Sequence, residues 1–253
     1  MSATLVRLRG RVWLMLLAVV FISSCGEKRP WVGPKNIRFT TPDGFRLMAT
    51  MWKPRRGESP AVLMIANLEQ DRGVFRSLAE KLAESGIAAV GLDLRIQGGS
   101  YRANELADPL RPENIRHLTD DVRFVLREIG AMRGVDSGRL ALLACDASAE
   151  IAVRGAWADS SLQAVALLSP VISDSVFQLL KSTLRPIFVA SSFDDQAAAQ
   201  TAKDLAEKAR SPDSRSKFLF AAGRGSDMLW SPDGAELIDA LVEWFRHVLL
   251  GMD

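Results

Sequence analysis

The sequence predicts an α/β fold built on one mostly parallel, doubly wound sheet with helices on both faces. Three observations carry that prediction. Short apolar runs alternate with stretches whose apolar residues recur at close to 3.6-residue spacing, the pattern of strands joined by crossover helices. The run Ala61-Val62-Leu63-Met64-Ile65 is continuously apolar, as expected of a strand buried on both faces of a parallel sheet. At the centre of the chain, Leu140-Ala141-Leu142-Leu143 passes into small residues and then into a helical pattern, so a strand meets a helix through a tight turn. With 253 residues, 48% hydrophobic and 25% charged, the chain is long enough for one sizeable core and short for two full domains.

The first residues read as a targeting segment. Arg7, Arg9 and Arg11 precede an apolar run over residues 12–22, which at about eleven residues is too short for a stable bilayer span and fits a signal-peptide core. Ile22-Ser23-Ser24-Cys25 resembles the bacterial lipobox. That resemblance implies removal of residues 1–24, lipidation of Cys25 and anchoring to a membrane through the lipid. Gly26 in place of Asp favours the periplasmic face of the outer membrane in a Gram-negative cell. An uncleaved anchor and an ordinary signal peptide remain alternatives. Without the three arginines the formal net charge falls from +2 to −1, which does not suggest a nucleic-acid partner. The chain has two cysteines, so once Cys25 carries lipid Cys145 has no disulfide partner.

Residues 25–35 carry Pro30, Gly33 and Pro34 and read as a tether, with the domain over residues 36–253. The runs 36–40 and 46–53 form a hairpin through Pro42-Asp43-Gly44. After the strand at 61–65, a helix follows with Val74, Leu78, Leu82 and Ala83 on one face, then a strand at 87–92. Ile115, Leu118, Val122, Val125, Leu126 and Ile129 mark the next helix. Strands at 140–143, 164–168, 186–190 and 217–220 alternate with helices after Ala147, near 175–181 and over 197–208. A C-terminal helix shows Leu237, Ile238, Leu241, Val242, Phe245 and Val248 on one side. About seventeen residues separate the strands at 164–168 and 186–190, too few for a cap domain, so any pocket is expected to be shallow and open.

Several motifs fall in a recognisable order. The opening hairpin and the buried strand at 61–65 come first. Then Asp93-Leu94-Arg95-Ile96-Gln97-Gly98-Gly99-Ser100 is similar to a D-x-R-G-x-G-x-S loop. Ala144-Cys145-Asp146-Ala147-Ser148 sits where a G-x-S-x-G nucleophile elbow would sit. Phe193-Asp194-Asp195 follows a strand, and Ala222-Gly223-Arg224-Gly225 forms a late loop. Over nearly all of its length after the targeting segment, the chain resembles the α/β-hydrolase family. The resemblance places Asp146 at the nucleophile position, Asp194 at the acid position with Asp195 as a less favoured substitute, Arg224 at the histidine position, and the backbone amides of Leu68 and Ala147 at the oxyanion hole.

The departures decide the functional expectation. Arginine stays protonated at ordinary pH and cannot take a proton from a hydroxyl or a water, so the general base is missing. The family's oxyanion loop has His-Gly, and this chain has Ala66-Asn67-Leu68. A carboxylate at Asp146 competes electrostatically with any oxyanion. Haloalkane dehalogenases and epoxide hydrolases of the family use an Asp nucleophile, but with a histidine-activated water and a cap domain. Cys145 and Ser148 read as a buried thiol and a packed helix-start serine rather than displaced nucleophiles. His117 and His247, the only histidines, lie in helical patterns and read as surface or packing residues. No His, Cys and carboxylate set has metal-ligand spacing, and no cofactor is implied. The expected arrangement is an Asp146–Arg224–Asp194 ion triad in a catalytically degenerate hydrolase fold, acting as a binding or scaffold module of the cell envelope toward an unidentified protein or small molecule. The alternative is a hydrolase of esters, thioesters or amides with a non-standard site at Asp146.

Overall fold

The computed structural model describes residues 29–55, 57–100, 111–208 and 216–252. Cys25 and the signal-peptide-like segment lie outside the described residues. Among the described residues, β1 (Trp31–Thr40), β2 (Arg46–Pro54), β3 (Ser59–Ile65), β4 (Ala88–Leu92), β5 (Val135–Cys145), β6 (Leu162–Leu168), β7 (Ile187–Ser191) and β8 (Lys217–Phe220) form one sheet in the order β1-β2-β4-β3-β5-β6-β7-β8. β2 pairs antiparallel with β1 and β4, and every other pairing is parallel. The mostly parallel sheet is as the apolar alternation predicts.

Strand side chains alternate between faces, and the two sets find different helices. Ala61, Leu63, Ile65, Leu140, Leu142 and Ala144 pack in one core with α2 (Pro112–Gly130), α3 (Ser148–Ala156), α4 (Asp174–Ser182) and α5 (Gln196–Lys208). Val62, Met64, Ala141, Leu143 and Cys145 pack in the other with α1 (Arg76–Glu84) and α6 (Gly234–Leu250). Burying both faces explains why β3 reads as an unbroken apolar run. Only α4 lies between β6 and β7, so that connection carries no cap domain.

One boundary differs from the sequence expectation. Trp31 to Lys35, read as tether, belong to β1: Trp31 pairs with Pro54, is buried, and donates from Nε1 to Glu84 Oε1 at 3.4 Å. A register shift between Val32 and Lys35 absorbs Gly33-Pro34, so residues that signal a linker locally are carried by strand pairing.

Candidate active site

Asp146, Asp195 and Arg224 meet at the carboxyl edge of the central strands. β3 and β5 are neighbours in register, with Ile65 opposite Ala144, so the loops after them start at the same level. Asp146 follows β5 directly and holds φ at 51°, a left-handed conformation that non-glycine residues seldom adopt, and α3 begins two residues later. That is the backbone of an elbow. Its N–H donates to Leu168 O at 2.9 Å, and its carbonyl accepts from Ala149 N at 3.1 Å and Val171 N at 3.2 Å.

Small residues make the turn possible. Ser148 is fully buried, and its hydroxyl meets the carbonyl oxygens of Cys145 (2.6 Å) and Ile65 (3.3 Å) and accepts from Cys145 N (3.2 Å). It therefore staples α3 to the strand ends. Cys145 faces the α1 and α6 core, and burial pushes its thiol well above the usual cysteine range. Neither group is presented to solvent as a nucleophile, in keeping with the sequence reading.

The residue facing Asp146 is Arg224, on the loop after β8. Arg224 Nη2 donates to Asp146 Oδ1 at 3.2 Å, and Arg224 Nε lies 3.6 Å from Asp195 Oδ2. The hydrogen bond to Asp146, with the negative field of Asp146, Asp195 and Glu69, raises the guanidinium's pKa further. The Arg224 side chain is 60% exposed, so water screens these pairs to about 0–1 kcal/mol each.

The expected triad is corrected in one member. Asp194 is exposed at the turn, and Asp195 meets Arg224. Asp195 directly precedes α5 and its Oδ1 accepts from Ala198 N at 3.3 Å, the work of a helix cap. That constraint turns its other oxygen toward Arg224. The preference for Asp immediately before a helix was the available signal, and it points to Asp195 rather than Asp194.

The loop after β3 is held by side-chain hydrogen bonds of Asn67, Gln97 and Ser226. Asn67 Oδ1 accepts from Ser226 N (2.8 Å) and Ser226 Oγ (3.0 Å), and Gln97 Nε2 donates to the carbonyls of Asn67 (2.6 Å) and Gln70 (2.9 Å). Gly225 is required between Arg224 and this clamp: its φ is 53°, and a Cβ there would lie 2.1 Å from Asn67 Oδ1. Among the described residues the amides of Leu68 and Ala147 donate no hydrogen bond, which leaves both donors of the candidate oxyanion hole available.

The histidines are elsewhere. His117 is exposed on α2 and lines a separate depression with Asp43, Arg95 and Asp121. His247 lies near the end of α6, where Leu249 O accepts from Arg139 Nη1 at 3.1 Å. Arg139 precedes Asp146 by about 23 Å of strand, at the opposite edge of the sheet. Among the described residues, no three His, Cys, Asp or Glu side chains are grouped to hold a metal ion.

The strand order, the elbow and the helices on both faces are those of the α/β-hydrolase fold, and solved structures bear this out. DcsB in complex with its substrate analogue aligns with a TM-score of 0.65 at 15% identity, over 86% of this chain and 99% of that one. Dienelactone hydrolase from Anabaena variabilis aligns at 0.63 and 17% identity, over 85% and 99%. Brefeldin A esterase, a bacterial homologue of human hormone sensitive lipase, aligns at 0.65 and 13% identity, over 90% and 80%. No family model and no curated protein matches the chain.

Proposed function

We propose that this protein is a catalytically degenerate member of the α/β-hydrolase architecture, held at a membrane by lipid on Cys25 and acting in the cell envelope as a binding module. One observation carries the non-catalytic part: the group bridging Asp146 and Asp195 is the guanidinium of Arg224. A guanidinium donates hydrogen bonds and stays charged, so it cannot relay a proton from a nucleophile or a water. The histidines of the chain stand away from this edge, and the thiol of Cys145 and the hydroxyl of Ser148 are packed inside. The lipid anchor and the outer-membrane location rest on the lipobox-like residues 22–25.

The second reading, a hydrolase with a non-standard site, is favoured by the unengaged amides of Leu68 and Ala147 and by the structural neighbours, which carry the names hydrolase and esterase. Assay of the protein against activated acyl esters of several chain lengths separates the two. No turnover by folded protein is expected, and turnover abolished by Asp146→Ala would overturn the non-catalytic reading. Release of the protein from membranes by Cys25→Ser checks the anchor.

A further inference from the structure

Two large aromatic side chains stand in the open beside this site. Phe193 follows β7 and is 75% exposed, Phe220 ends β8 and is 50% exposed, and their rings stack with centroids 4.2 Å apart and planes 9° from parallel. Phe193 falls in the chain between Ser192 and Asp194, two residues that line a depression of about 420 Å³ together with Asp195, Gln196, Gly223 and Arg224. That volume is in the range of small-molecule sites, at roughly 300–1,000 Å³.

The charges around the depression are unequal. Among the described residues lining it Arg224 is the one cation, and it is engaged by Asp146 and Asp195. Glu69 adds to the negative field on it, and Asp194, exposed and among the lining residues, leaves the ion pair with Arg224 to Asp195. An aromatic face is also electronegative and attracts a cation within about 6 Å of its centroid. A cation over Phe193 and beside Asp194 gains from both groups, and an apolar body attached to it covers exposed ring surface.

We infer that this depression binds a small organic cation, an ammonium on an apolar body that lies against the Phe193–Phe220 pair with its charge toward Asp194. This rests on the reading of the site as a binding module and names its ligand class. An anion is disfavoured because the guanidinium that would receive it already faces two carboxylates.

Titrating the protein with 2-phenylethylammonium and with 3-phenylpropionate, of similar size and opposite charge, tests the site by calorimetry. The ammonium is expected to bind saturably and the carboxylate not. Asp194→Asn and Phe193→Ala, both at an exposed turn, are each expected to weaken the ammonium by roughly three-fold or more while the circular dichroism spectrum is unchanged. Equal or tighter binding of the carboxylate, no ammonium binding, or an Asp194→Asn variant of unchanged affinity would overturn the inference. Ester turnover measured on the same preparations reads the underlying assignment separately. Turnover lost in Asp146→Ala overturns the non-catalytic reading, and absent turnover with absent ammonium binding overturns the cation site alone.

Discussion

Arg224 Nη2 lies 3.2 Å from Asp146 Oδ1, so the residue at the tip of the elbow is faced by a cation. The elbow remains strained, with Asp146 at a φ of 51°, and two backbone amides beside it remain unengaged. The strand-to-helix turn of the fold is kept, and among the described residues the side chain facing it is a guanidinium. The carboxylate at the elbow and the arginine opposite form an ion pair that solvent screens, since the arginine side chain is 60% exposed.

Rebuilding the missing chemistry is the most direct check on that geometry. Asp146→Ser combined with Arg224→His would place an imidazole between a hydroxyl and Asp195. A positioned general base contributes about 10²–10⁴-fold. The double variant is therefore expected to hydrolyse p-nitrophenyl acetate at least roughly ten-fold faster than either single variant. A folded double variant without that gain would show that the loops after β3, β5 and β8 are not in catalytic register.

Stability should depend on acid pH through the hairpin turn. Hydrogen bonds from Arg95, and then from Thr41, lower Asp43 from 3.8 to about 2. A carboxyl depressed in the folded state stabilises the protein above its ordinary pKa and loses that contribution as pH falls toward the folded value. The urea midpoint is expected to drop between about pH 4 and pH 2, and Asp43→Asn should flatten that part of the profile. The Asp43 side chain is 48% exposed, so added salt should shrink the effect.

Gly155 on α3 sets two opposing effects against each other. Helix propensity favours alanine over glycine by about 1 kcal/mol. A Cβ at Gly155, however, would lie 2.6 Å from Thr119 O and 2.7 Å from Val122 Cβ, on the backbone and core face of α2. Overpacking of this kind costs about 1–3 kcal/mol. Gly155→Ala is therefore expected to lower the urea midpoint, and a rise would show that α2 and α3 separate easily.

Much of this protein is legible from local patterns. Strand burial on both faces leaves an apolar run at 61–65, and helix periodicity leaves a stripe from Leu118 to Ile129. The elbow is readable because a sharp strand-to-helix turn tolerates only small neighbours such as Ala144 and Ser148. The start of β1 is not readable. Pro30, Gly33 and Pro34 argue locally for a linker, and only pairing with β2 makes Trp31 a buried strand residue. Trp244, placed between Phe188 and Phe245, is likewise a core residue defined by what packs on it.

By itself the sequence determined the fold class and the place of Asp146 at the central turn, because each follows from residue type and spacing along the chain. Tertiary structure alone decided that Asp195 rather than Asp194 meets Arg224, that Asn67, Gln97 and Ser226 hold the neighbouring loop, and that Phe193 and Phe220 stack in the open. These are contacts between residues far apart in the chain, or choices between adjacent side chains on one turn. Neither leaves a periodic trace, since a one-residue shift at a helix start reverses which carboxylate faces inward while barely changing the pattern.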